Sequence, residues 1–113
     1  GGGGWTVLSD RNAKEAFRDL DLDDVLARIA RLPMQEWQYR DQPGAVRHIG
    51  PVAQDFHEAF GLGESAVRIN TIDADGIALA GVKALEARTR SLALENDDLR
   101  ARLARLETLL DKR

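Results

Sequence analysis

Ser9 and Lys14 have the types and spacing to do chemistry together. A serine hydroxyl becomes a nucleophile when a base removes its proton, and lysine is a base only in its neutral form. Lysine ordinarily titrates near ~10.4, so such a dyad needs a site that strips water from the amine or sets another cation beside it. A separation of five residues across a turn can bring the two side chains together. The same spacing also describes a turn serine followed by a solvated lysine, so spacing alone leaves both readings open. His48 could orient a catalytic group, but a lone strand histidine reads first as a hydrogen-bonded structural residue. His57, beside Glu58, reads as a solvated helix residue. Asp73-Ala74-Asp75-Gly76 opens like a calcium loop but lacks the later ligands, and reads better as a helix cap. Gly61-Leu62-Gly63 lacks the third glycine of a dinucleotide loop. With two histidines and no cysteine, neither a metal nor a cofactor is expected.

The elements that must position these residues follow from pattern. Ser9-Asp10-Arg11-Asn12 is rich in side chains that bond their own backbone, which predicts a turn under the candidate dyad. Ahead of it, residues 5–8 read as a short strand behind the glycines Gly1 to Gly4, a linker or cut point in something longer. Residues 20–32 predict a helix capped by Asp21 or Asp23, with Val25, Leu26, Ile29 and Leu32 on one face and Pro33 as its stop. Residues 34–40 alternate, with Trp37 and Tyr39 on one side; Asp41-Gln42-Pro43-Gly44 turns the chain, and residues 46–49 return as the second strand of a hairpin. Gly50-Pro51 opens a second helix carrying Val52, Phe56, Ala59 and Phe60 and ending at Gly61. Val67, Ile69 and Thr71 alternate with Arg68, Asn70 and Ile72, which predicts another short strand. Asp73 then caps a last helix, from about Ala74 to Leu110. The expected core of the head is Trp37, Tyr39, Val46, Ile49, Val52, Phe56 and Phe60, with the hairpin packed on the second helix.

The last helix carries the strongest pattern. With Val82 at heptad position a, the a positions are Val82, Thr89, Asn96, Leu103 and Leu110, and the d positions are Leu85, Leu92, Leu99 and Leu106. Leucine at every d position marks a coiled coil. Glu95 and Arg102 at g face Arg100 and Glu107 at e of a parallel neighbour with opposite charge. Asn96 in the seam excludes slipped alignments. At ~1.5 Å per residue this helix extends roughly 50 Å, too long to fold back wholly on the head. An intramolecular helical hairpin is disfavoured because the chain holds no second heptad segment. Heptads alone leave dimer and trimer open.

The 113 residues, 12.5 kDa, suit one small domain. Composition, 43% apolar and 31% charged, excludes a disordered tail, and the longest apolar run, residues 77–82, is far short of a membrane helix. No basic segment leads into an apolar one as in a signal peptide. A net charge of −3 argues against a nucleic-acid partner. Six aromatic side chains give a thin core, for which oligomerisation is a usual remedy.

Several blocks, in order, resemble a known family. Leu8-Ser9-Asp10-Arg11-Asn12-Ala13-Lys14-Glu15 resembles the start of the intramolecular chaperone domains at the C-termini of phage tailspikes, tail fibres and endosialidases, the S74 peptidase family. The self-cleaving domain of myelin regulatory factor is similar. Residues 32–39 resemble the family's leucine followed by an aromatic strand. His48-Ile49-Gly50-Pro51-Val52-Ala53-Gln54-Asp55-Phe56 resembles its hydrophobic-Gly block ending in Ala-Gln-acidic-hydrophobic. Residues 73–85, running into a coiled coil, resemble its end. Pro51 departs from the aliphatic or aromatic residue common after that glycine.

The patterns alone give an α+β fold, a small head of helices and short strands followed by a long C-terminal helix that forms a parallel coiled coil, and an assembly module; the resemblance implies that the coiled coil is trimeric. Residues 1–8 would end an upstream passenger or linker, 9–81 form the chaperone and autoprotease head, and 82–113 the stalk. It implies a homotrimer that aligns an upstream β-rich passenger of the same chain, with neither nucleic acid nor membrane as partner. Ser9 would be the nucleophile and Lys14 its base in a single self-cleavage that releases the domain. The setting would be the cytoplasm of a bacterial host during assembly, then a phage tail or prophage-encoded fibre. Ring size favours cutting Leu8–Ser9, because the Ser9 hydroxyl reaches the preceding carbonyl through a five-membered ring but its own through a four-membered one. Cutting Ser9–Asp10 would need another chain's serine or an activated water. The rival readings are a non-cleaving trimerisation cap and a coiled-coil adaptor.

Overall fold

Backbone capping by short polar side chains sets where three of the four helical elements begin. The structure, a computed structural model, describes Thr6 and residues 8–112. Its elements are a 3-10 turn (Arg11–Ala13), α1 (Leu22–Arg31), β1 (Gln35–Trp37), β2 (His48–Gly50), α2 (Ala53–Phe60) and α3 (Thr71–Asp111). The expected strand over residues 5–8 includes Trp5 and Val7, which lie outside the described residues. Asp21 caps α1 by accepting the Asp24 N–H at 3.1 Å. Asp23 and Asp24 in the first turn and Arg28 and Arg31 in the last complement the helix dipole. Gly61 ends α2 in the left-handed conformation, φ +62°, and donates its N–H to the His57 carbonyl at 2.8 Å; a side chain there would strain the backbone.

The hairpin is real but shorter than the alternation suggests. β1 and β2 pair antiparallel through Gln35↔Gly50, Glu36↔Ile49 and Trp37↔His48. Residues 38–47 form a broad loop instead of a tight turn, with Gln42 folded back onto the His48 ring. The expected strand around residues 67–71 does not form. Asn70 wins that segment for a helix: its Oδ1 accepts the Ile72 N–H at 2.9 Å, and its carbonyl accepts from Asp73 and Ala74. Asn70, not Asp73, is therefore the cap, and α3 starts three residues before the expected Ala74. Asp73 sits in the first turn, where its charge still suits the dipole.

The core also differs from the expected one. Val25, Phe56, Ala80 and Ala84 are its buried apolar side chains. Trp37 and Phe60 are half-buried, whereas Tyr39, Val46, Ile49 and Val52 are exposed. The reason is that α1 packs across the first turns of α3 through small residues, so the hairpin is not needed as the second layer. A Cβ added at Gly81 would stand 2.8 Å from Ile29 Cδ1, which measures how closely the two helices approach. Arg28 Nη1 donates to the Ala59 carbonyl and ties α2 to α1. Phe56 and Phe60 stack at 5.0 Å within α2.

Beyond the head α3 runs on alone. Its 41 residues span about 60 Å at 1.5 Å per residue. The radius of gyration is 22.0 Å, against about 13 Å for a compact chain of this length. The extents are 74 × 42 × 35 Å. At 3.6 residues per turn, the Ala80–Gly81–Ala84 face lies roughly a third of a turn from the Val82–Leu85–Thr89–Leu92 seam. Packing of the head on α3 therefore leaves the leucine seam free, and Leu85, Leu92, Leu99 and Leu106 are each 48–57% exposed. No helix of the structure is long and apolar enough to cross a membrane.

Candidate functional site

Ser9 and Lys14 lie on opposite sides of the 3-10 turn, and local hydrogen bonds bring them together. Asp10 caps the turn, its carboxylate accepting the Asn12 N–H at 3.1 Å. The Ala13 N–H then donates to the Asp10 carbonyl at 3.0 Å and the Lys14 N–H to the Arg11 carbonyl at 3.2 Å. One tight turn of this kind reverses the chain, so the Lys14 side chain comes back over Ser9. Lys14 Nζ donates to Ser9 Oγ at 2.7 Å. A contact of this length is within reach for a proton transfer between the two groups. Both side chains are exposed in the single chain. Just after the pair, Ala16 turns the backbone through φ +56°, alone among the described non-glycine residues in having a positive φ.

The other residues singled out by sequence lie elsewhere. His48 Nε2 meets Gln42 Oε1 at 2.9 Å. Its ring sits 5.2 Å from Trp37 and 5.3 Å from Tyr39, so it is the polar member of an aromatic cluster. Trp37, the last residue of β1, and Tyr39, in the loop after it, meet edge to face at 4.9 Å, and Trp37 Nε1 donates to the Gly50 carbonyl at 3.1 Å. His57 corrects its expectation: it is half-buried, with Nδ1 buried and unpartnered, not solvated. Asp73 and Asp75 are helical residues of α3, and Gly61 is a helix cap. Among the described residues no cluster of His, Cys, Asp or Glu could hold a metal ion. Asp10 and Asn12 form the turn that their types predict, and their hydrogen bond closes the turn across which Lys14 meets Ser9.

Residues 9–67, more than half of the chain, match the model of the family described as chaperone of endosialidase, peptidase S74. The chain belongs to that family. The match begins at Ser9 itself, includes Lys14, and ends four residues before α3. No curated protein matches the chain.

Proposed function

We propose that this domain is a self-cleaving intramolecular chaperone that trimerises, aligns an upstream β-rich passenger of its own chain, and is released by a Ser9–Lys14 dyad. The observation that carries the reading is the 2.7 Å contact between Lys14 Nζ and Ser9 Oγ at the first residues of the family match. Neutral Lys14 takes the Ser9 hydroxyl proton as Oγ attacks the Leu8 carbonyl carbon through a five-membered ring. The Leu8–Ser9 C–N bond breaks, the Ser9 nitrogen takes the proton back from Lys14, and an ester joins Leu8 to Ser9 Oγ. Water then hydrolyses that ester, leaving a Leu8 carboxylate and a free Ser9 hydroxyl.

The exposed dyad gives assembly a function in this reading. Lysine serves as a base when water is excluded from it, and a neighbouring head covering the 3-10 turn would exclude it. The exposed leucine seam of α3 supports association of parallel chains, since an apolar stripe of this length is an interaction surface; the number three comes from the family resemblance. A coiled coil closes through local contacts and sets stoichiometry before a β-rich passenger must align its slow, non-local pairings. Cleavage afterwards leaves the assembled passenger kinetically trapped.

A denaturing gel of the chain fused behind a reporter protein tests the proposal. Wild type should give two fragments, while Ser9→Ala and Lys14→Ala should give one, each remaining a trimer by sedimentation equilibrium. One uncut band from a well-folded wild-type trimer favours the permanent cap, and a monomer at micromolar concentration removes the trimer.

A further inference from the structure

We infer that Asp10 is a positioning residue of the dyad, acting through its cap of the 3-10 turn and not through its charge; this rests on the self-cleavage proposed above. Lys14 reaches Ser9 only because residues 11–13 fold into a single tight turn. A three-residue turn has almost no stability of its own: its backbone bonds are the two from Ala13 and Lys14 to the Asp10 and Arg11 carbonyls. No residue of the turn is buried in its own chain, so packing within the head does not hold it. What remains is the Asp10 carboxylate on the Asn12 N–H at 3.1 Å. Asp10 has extended backbone, φ −65° and ψ 131°, as a capping residue does. Its carboxylate is thereby bound to the backbone while the Lys14 ammonium bonds Ser9 Oγ.

The alternative role for an acidic residue beside the nucleophile is electrostatic, and it makes the opposite demand. A carboxylate free to approach Lys14 would favour the ammonium and so oppose its use as a base. A capping oxygen carries no such requirement for charge. Asparagine and serine cap as well as aspartate does, whereas alanine cannot and glutamate caps poorly.

The test measures the rate of cleavage in five full-length chains: wild type, Asp10→Asn, Asp10→Ser, Asp10→Ala and Asp10→Glu. Asn and Ser should cleave within about twofold of wild type, while Ala and Glu should slow roughly fivefold to tenfold, the population change expected from losing one cap. The pH midpoint of the rate should stay fixed throughout, because the cap sets how often Lys14 is in place and not how basic it is. Thermal melting of the head should be unchanged, since the turn contributes no residue to the head's own core. If Asp10→Asn is as slow as Asp10→Ala while Asp10→Glu keeps its rate, the charge matters and the cap proposal is overturned. Equal rates in all five also overturn it. A wild-type chain that never cleaves defeats the parent reading instead; the Asn12 amide chemical shift, moving in Asp10→Ala and Asp10→Glu but not in Asp10→Asn, then decides the cap separately.

Discussion

Gly81 is where α1 and α3 come closest, and adding one methyl there sets two effects of known size against each other. Alanine is favoured over glycine inside a helix by about 1 kcal/mol. Against that gain, the new Cβ would stand 2.8 Å from Ile29 Cδ1, well inside the ~3.5–4.0 Å of an ordinary carbon contact. Overpacking of this kind costs about 1–3 kcal/mol. The obstructing atom is the free end of a side chain, so it escapes by rotating χ2 at about 0.5–1.5 kcal/mol. The low end of the overpacking range therefore applies, gain and cost nearly cancel, and Gly81→Ala should change stability by less than ~1 kcal/mol. Ile29→Val removes Cδ1 and with it the obstruction. In that background the same Gly81→Ala change should stabilise by about 1 kcal/mol, the helix term acting alone. Urea unfolding of the four proteins, followed by circular dichroism at one fixed concentration, reads this difference between the two backgrounds. Equal effects of Gly81→Ala in both backgrounds would refute the packing of Ile29 on Gly81 and with it the head-to-stalk contact.

Phe56 is buried at the centre of the small core; Phe56→Ala should cost about 3–5 kcal/mol, enough to unfold a head of marginal stability in a thermal melt. Asp21→Ala removes the side-chain cap of α1 and should cost about 1 kcal/mol, seen as a fall of roughly 4–8 °C in Tm. Leu99→Asp places a charge at a d position in every copy and should dissociate the stalk in sedimentation equilibrium. Helix α3 should persist in the head of that variant, because Ala80, Gly81 and Ala84 pack there independently of the seam.

The sequence was most legible where a single rule acts locally. Asp21, Pro33 and Gly61 bound their helices much as capping and proline rules require, and the leucine heptads foretold the length and the unpacked face of α3. Trp37 and Tyr39 meet as the alternation suggests, although the strand ends at Trp37 and Tyr39 lies in the loop beyond it. Reading failed where two local rules compete or where packing decides. The alternation of Val67, Ile69 and Thr71 suggests a strand, yet the Asn70 cap commits the chain to a helix, and propensity alone does not rank the two. Phe56 lies in the core as its helix face predicts, and Trp37 and Phe60 are half-buried, but Tyr39, Val46, Ile49 and Val52 stay exposed. Ala80, Gly81 and Ala84 complete the core by letting α1 come close, and small residues give no amphipathic signal. The charged neighbour Glu58 suggests a solvated His57, but burial follows the helix face. Spacing allowed the Ser9–Lys14 contact without distinguishing it from a turn, and the cap from Asp10 that makes the contact possible is a matter of geometry.

The most direct test of self-cleavage by a Ser9–Lys14 dyad is intact mass spectrometry of the purified chain over time, alongside Ser9→Ala and Lys14→Arg. Guanidinium remains protonated near neutral pH and cannot replace the lysine as a base, so Lys14→Arg keeps the positive charge while removing the function. Wild type should resolve into residues 1–8 and a fragment beginning at Ser9, and both variants should keep the mass of all 113 residues. Efficient cutting of Ser9→Ala, or of Lys14→Arg, at the same bond would contradict the dyad.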